Sequence, residues 1–77
     1  MVTMPTEREI QRIRSAYPPG TRIKLIEMDD PYTHLKKGDR GKVMHVDDMG
    51  QIHMYWDCGS TLALIPGVDK FSVEMEG

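Results

Sequence analysis

Long hydrophobic runs, paired cysteines and a strong excess of one charge are all missing from this 77-residue chain. The longest apolar run, residues 62–65, is far too short to span a bilayer. The single cysteine, Cys58, excludes an intramolecular disulfide and fits a reducing compartment. A formal net charge of −2 gives no general attraction to nucleic acids or anionic membranes, so any basic surface must be local.

The length limits both the core and the kind of site that the chain can form. A chain of this size forms one domain and buries roughly 60% of its surface on folding, which leaves little room for a deep pocket. The N-terminal segment lacks the apolar stretch of a signal peptide. We therefore expect a soluble, cytoplasmic protein without membrane association, whose binding site is a shallow surface.

The N-terminal region predicts one short helix. Thr6 and Glu9 have the spacing of a capping box, and Ile10, Ile13 and Tyr17 follow on one helical stripe. Two prolines come directly after this stripe and end the helix. A helix this short is marginal alone, so we expect it either to cover one end of the remaining domain or to bind a partner.

The rest of the chain predicts a mainly β fold. Short segments of alternating apolar and polar residues are separated by turns rich in glycine and aspartate, which is typical of a five-stranded SH3-like small barrel. Residues 1–16 would then form a helical extension and residues 17–77 the barrel domain. The predicted strands cover residues 21–28, 40–46, 51–56, 61–65 and 70–75.

Three details of the sheet follow from the same pattern. Ile26 and Met28 interrupt the alternation of the first strand, which indicates a bulge or a strongly bent strand. A four-residue turn after the second strand would place Val43 opposite Met54 and His45 opposite Ile52. The residues predicted to share one dry interior are Val43, Ile52, Trp56, Leu62 and Phe71.

Two motifs carry a resemblance to known proteins. The segment GDRGKV, which begins at Gly38, resembles the turn and strand of KOW-like and other SH3-like barrels, as does the hairpin YWDCG. Together with YPPGTRIKLIEMDDPYT, VDDMGQIHMYWD and GSTLALIPGVDKF, they closely resemble the bacterial domain-of-unknown-function family DUF4314. The resemblance implies an SH3-like fold and a phage or mobile-element setting, and it implies no activity. Cys58 departs from the asparagine that would suit the hairpin position.

No motif in the chain predicts catalysis or cofactor binding. The three histidines lack metal-ligand spacing, and Cys58 lies at a hairpin tip and not at a helix N-terminus, where nucleophilic cysteines are often found. The paired aspartates at 29–30 and 47–48 are typical turn residues that cap backbone N–H groups. We expect a non-enzymatic protein with no catalytic residues, no metal and no cofactor.

The favoured function is protein–protein interaction. Tyr32 and His34 in the long loop, with His53 and Tyr55 on the outer sheet face, are aromatic groups of the kind that anchor interfaces. Met44 is expected beside His53 and Tyr55, and methionine adapts well to a contact surface. A further alternative is a small inhibitor of a host factor.

The alternative function is binding of RNA or DNA. Lys36, Lys37, Arg40 and Lys42 cluster in the long loop and at the start of the second strand, and Arg22 and Lys24 on the first strand would extend this patch. Tyrosine side chains there would stack on bases. Several aspartates interleave with these cations, whereas a phosphate-binding surface normally has a clear basic excess.

Overall fold

The computed structural model of the protein describes residues 6–28 and 35–74. In these two ranges the chain forms one helix and a four-stranded antiparallel sheet. No helix within them is long and apolar enough to cross a membrane. The elements are α1 (Glu7–Ala16), β1 (Arg22–Glu27), β2 (Arg40–Val46), β3 (Ile52–Trp56) and β4 (Lys70–Val73).

Helix α1 forms where the sequence predicts it and packs against β2. The Thr6 hydroxyl accepts a hydrogen bond from the Glu9 N–H at 3.2 Å, which satisfies one of the free donors at the helix start. Ile10 is buried, and Ile13 and Tyr17 pack against the core. The apolar stripe therefore attaches the helix to the sheet; whether α1 also binds a partner stays a prediction.

The strands have the order β3-β2-β1-β4, and each neighbouring pair is antiparallel. The predicted bulge in β1 is confirmed, because the register shifts between Leu25 and Glu27. A second bulge lies between Val43 and His45, so that His45 faces His53. The predicted pairing of His45 with Ile52 is therefore wrong, although Val43 does pair with Met54. The extra residue, Met44, moves every later residue of β2 by one position relative to β3.

The core forms between the sheet and the segments packed on one of its faces. Val43, Ile52 and Trp56 are almost completely buried, as predicted, whereas Leu62 and Phe71 are partly buried at its margin. The Trp56 indole N–H donates a hydrogen bond of 2.8 Å to the Leu62 carbonyl. The ring thereby fills the centre of a small core without leaving its polar atom unpaired.

The predicted fourth strand is not formed as a strand. Residues 61–65 meet β3 at a single bridge, where Ile52 and Leu64 exchange backbone hydrogen bonds of 2.9 and 2.8 Å. Side chains take the neighbouring backbone groups: the Leu62 N–H donates to Ser60 Oγ, and the Ile65 N–H donates to Asp69 Oδ2. Local bonds of this kind compete with a sheet ladder. The mainly β fold with one short helix is confirmed, but five strands and a closed barrel are not.

Candidate functional site: the outer face of the sheet

The sheet has one buried face and one face turned away from the core. Ile23 and Leu25 of β1 are buried, and the alternation of a strand then places Arg22 and Lys24 on the opposite side. The same alternation holds for β2 and β3. We call this opposite side the outer face; its residues on the three strands are Arg22, Lys24, Arg40, Lys42, Met44, His45, His53 and Tyr55.

Four cations stand together at the centre of the outer face. In the register of β1 and β2, Arg22 lies opposite Lys42, and Lys24 lies opposite Arg40. We call these four residues the cation block. Like charges directly opposite each other destabilise a sheet, so this arrangement needs compensation from nearby carboxylates or from a ligand.

Two carboxylates at opposite corners of the cation block compensate part of its charge. Asp57 follows β3, and both of its oxygens accept hydrogen bonds from Arg22, at 3.0 and 2.6 Å. Glu74 follows β4, and its Oε2 lies 2.8 Å from Arg40 Nε. The hydrogen bonds from Arg22 lower the pKa of Asp57. Each ion pair reaches across one intervening strand, so both arginines are held in place by carboxylates of the protein itself.

An apolar and aromatic group lies beside the cation block. The bulge in β2 leaves Met44 49% exposed, and Tyr55 on β3 is 47% exposed. Tyr55 lies opposite Lys42, whose Nζ is 5.9 Å from the centre of the tyrosine ring. This distance places the ammonium group over the ring in a cation–π contact. The outer face thus offers an exposed methionine and an exposed tyrosine next to positive charge.

Two histidines continue the outer face towards the turn between β2 and β3. The rings of His45 and His53 stack with centroids 4.4 Å apart and an interplanar angle of 10°. His53 Nε2 lies 2.8 Å from Asp47 Oδ2, and Asp47 Oδ1 accepts the N–H groups of Met49 and Gln51 at 2.9 Å each. Asp47 therefore closes the turn and holds the His53 ring at the same time.

The environment of Asp47 has an electrostatic consequence. Desolvation alone would raise the pKa of this carboxyl group, but the hydrogen bond with His53 and the N–H groups of Gln51 and Met49 outweigh it and lower the pKa. His53 is held by its contact with Asp47, so the stacked histidine pair helps to stabilise the turn between β2 and β3. No group of three or more histidine, cysteine or acidic residues within 6–28 and 35–74 is arranged to hold a metal ion.

A groove between α1 and β2 borders the outer face. Its volume is about 190 Å³, and it is lined by Arg14, Tyr17, Pro19, His45 and Val46. Arg14 is already engaged there, because its Nε donates to the Val46 carbonyl at 3.2 Å and its Nη2 to Asp48 Oδ1 at 2.8 Å. Sites for small molecules usually measure about 300 Å³ or more, so this groove is smaller than a typical ligand pocket.

The structure brings together only part of the predicted site. His53 and Tyr55 lie on the outer face, as expected, and Arg40 and Lys42 at the start of β2 lie there as well. The other two lysines, Lys36 and Lys37, are exposed in the turn before β2 and not on the sheet itself. Tyr32 and His34 lie outside the described residues.

Sequence reasoning missed the roles of Asp57 and Glu74. Asp57 falls in the predicted turn after strand 51–56, and Glu74 falls inside the predicted strand 70–75; neither position by itself indicates an ion pair. Their pairing with arginines two strands away depends on the register: the Asp57 N–H donates to the Arg40 carbonyl and the Glu74 N–H to the Arg22 carbonyl, at 2.8 Å each. The signal that the sequence contains is an acidic residue directly after the last residue of each strand, Asp57 after Trp56 and Glu74 after Val73.

Comparison with known proteins places the chain in a family but assigns no activity to it. No curated protein and no solved structure shows a significant match. A family model described as a domain of unknown function, DUF4314, matches residues 6–74, which include α1, all four strands and both corner carboxylates. The chain therefore belongs to the DUF4314 family.

Proposed function

We propose that this protein is a non-enzymatic binding module of the cytoplasm that uses its outer face to bind another protein. The observation that carries the proposal is the pair of half-exposed side chains, Met44 and Tyr55, on a rigid antiparallel sheet. Tyrosine and methionine are enriched in protein interfaces, and a sheet holds them with little loss of entropy on binding.

The bulge at Met44 supports this proposal. Val43 and Val46 both point into the core, and the two residues between them, Met44 and His45, are both exposed. A regular strand would leave only one outward residue in that interval, so the bulge adds a side chain to the outer face. Bulges commonly redirect a side chain next to a functional site.

The ion pairs favour a protein over a nucleic acid as the partner. Arginine is the residue best suited to bind phosphate in a bidentate manner, but Arg22 already binds Asp57 in this way and Arg40 contacts Glu74. A polyanion would meet both carboxylates on the face that it binds. Nucleic-acid binding through residues 36–42 stays the alternative, and nuclease treatment separates the two.

Two methionines provide a matched test of the protein-binding proposal. Met44 on the outer face and Met49 in the β2–β3 turn are 49% and 48% exposed, so Met44→Gln and Met49→Gln remove similar side chains from different places. Tagged protein would capture partners from a nuclease-treated lysate, and the affinity of the purified partner would then be measured. We expect Met44→Gln to weaken binding about tenfold, which corresponds to about 1.4 kcal/mol, and Met49→Gln to leave it unchanged.

The result that would refute the proposal is equally specific. A partner bound with equal affinity by both variants would show that binding does not use the outer face. A partner that disappears after nuclease treatment would show that nucleic acid is what the protein binds. Both variants should unfold at nearly the same urea concentration as the original protein, because neither methionine contributes to the buried core.

A further inference from the structure

We infer that the partner binds the cation block with an extended acidic segment, in which two carboxylates separated by one residue contact Lys24 and Lys42. This inference rests on the proposed function, because it specifies the chemistry of a protein partner on the outer face. Its starting point is that the charge of the block is only partly compensated. Asp57 and Glu74 neutralise the two arginines, whereas neither lysine has a carboxylate partner among the described residues.

The energetics of the sheet point to an external anion. Each of the two cross-strand pairs in the cation block, Arg22 with Lys42 and Lys24 with Arg40, joins like charges, and such pairs weaken a sheet. A carboxylate that binds near Lys24 or Lys42 would remove repulsion as well as add an attraction. The protein thus keeps an arrangement that is unfavourable in isolation and favourable in a complex with an anion.

The spacing of the two lysines selects the form of the ligand. Lys24 and Lys42 are diagonal neighbours on β1 and β2, and residues in this relation are about 7–8 Å apart. Side chains two positions apart in an extended segment lie on the same side and are separated by about 6.6 Å. The two lysines are therefore matched in spacing by two acidic residues with one residue of any type between them. A neighbouring apolar residue would pack on Tyr55, which lies opposite Lys42.

The corner carboxylates distinguish this ligand from a nucleic acid. Two rows of cross-strand neighbours run over the outer face. One row contains Tyr55, Lys42 and Arg22 and ends at Glu74. The adjacent row contains Lys24 and Arg40 and ends at Asp57. A short acidic segment can place its charges between these two carboxylates. A phosphodiester chain carries a charge at every nucleotide and would extend past them along either row.

The test is an NMR titration of the full chain with defined probes. One probe is a short capped peptide that carries two glutamates separated by a leucine, the second is the same peptide with glutamines, and the third is a short oligothymidylate. We expect the glutamate peptide to shift the amide signals of Lys24, Lys42 and Tyr55, and its affinity to fall as salt is added. The glutamine peptide should bind at least about tenfold more weakly, since two exposed charge pairs are lost.

Two double variants with the same change in net charge provide the control. Lys24→Gln with Lys42→Gln should weaken the glutamate peptide about tenfold. Lys36→Gln with Lys37→Gln removes two exposed lysines from the neighbouring turn and should leave the affinity nearly unchanged. Removal of Lys24 and Lys42 should also maintain or raise the urea midpoint, because it removes like-charge pairs; a clear fall would assign both lysines a structural role and overturn the inference.

The other outcomes also decide the question. Equal weakening by both double variants would mean general charge attraction, and tighter binding of the oligothymidylate would identify a nucleic-acid surface; either result overturns the inference. Equal binding of the glutamine peptide at the outer face would overturn the acidic specificity but leave the proposed function standing. A failure of the proposed function would appear separately, as partner binding that does not depend on Met44.

Discussion

Replacing Gly41 with alanine should destabilise the fold through a clash between two strand backbones. Gly41 on β2 lies opposite Trp56 on β3 and is buried. A Cβ atom there would lie 2.8 Å from the Tyr55 carbonyl oxygen, 2.9 Å from Trp56 Cα and 3.0 Å from Trp56 Cε3. Ordinary contacts begin at 3.4 Å, so the strands would have to separate by about 0.5 Å.

The expected magnitude follows from two opposing effects. Overpacking of a core typically costs about 1–3 kcal/mol, and the upper end applies here because two of the three atoms belong to the backbone. Alanine also lowers the conformational entropy of the unfolded chain, which stabilises the folded state by about 0.4–1 kcal/mol. We therefore expect the free energy of unfolding to fall by about 2 kcal/mol, which urea denaturation monitored by Trp56 fluorescence would measure.

Gly59 provides a control in which the reason for glycine is different. Its φ is +95° and nothing lies within 4 Å of an added Cβ, so its replacement costs backbone strain and no clash. Asparagine tolerates this conformation better than alanine, so Gly59→Asn should be milder than Gly59→Ala. At Gly41 the order should reverse, because the larger side chain needs more space. A loss below about 0.5 kcal/mol for Gly41→Ala, or the same order at both positions, would refute the reasoning.

Two further predictions concern the core and the turn beside the outer face. Trp56→Phe removes the 2.8 Å hydrogen bond to the Leu62 carbonyl as well as ring volume, so chemical denaturation should show a loss of about 2–3 kcal/mol; an unchanged midpoint would mean that this contact is not formed in solution. The folded-state pKa of Asp47 lies below its ordinary value of 3.8, so its carboxylate stabilises the fold above that pH and the stabilisation is lost as the pH falls through the folded-state pKa. Asp47→Asn should therefore flatten the acid limb of stability against pH, measured by urea unfolding from about pH 2 to pH 7, and an acid limb as steep as before would contradict this.

Local signals in the sequence were sufficient for most of the fold. The capping spacing of Thr6 and Glu9 and the apolar stripe behind them predict α1 correctly. The strict alternation from Ile52 to Trp56 predicts β3 and its buried face correctly. Both predictions succeed because each pattern lies within a single helix or strand. The break in alternation after Leu25 was also visible; it indicates a bulge or a strongly bent strand, and β1 has the bulge.

Features that depend on competition between distant groups were not predictable. In β2, Val43 and Met44 are both apolar and both fit a core position, so the alternation alone does not show that Met44 is the additional residue. The predicted fourth strand fails because hydroxyl and carboxylate groups of Ser60 and Asp69 take its backbone donors. Neither competition appears in a pattern of apolar and polar residues.

The outer face also combines features that local patterns predict with features that depend on distant groups. Alternation placed His53 and Tyr55 there correctly. It did not reveal that Asp57 and Glu74 reach across a strand to the arginines, which changes the electrostatic character of the surface. The composition of a sheet face can thus be read from one strand at a time, but its charge balance depends on how the strands are paired.

Because of the bulge in β2, the outer face could lose a side chain without a change in the core; in a regular strand, removing a residue changes both. Val43 would still face Met54, and His45 would still face His53, in a chain from which Met44 had been deleted, because the strand would then simply alternate. Deletion of Met44 should therefore leave the packing of the core unchanged and remove one methionine side chain from the outer face. We expect this deletion to disturb folding less than Gly41→Ala does, so the shortened chain would be a folded control in a genetic screen for partners that contact Met44.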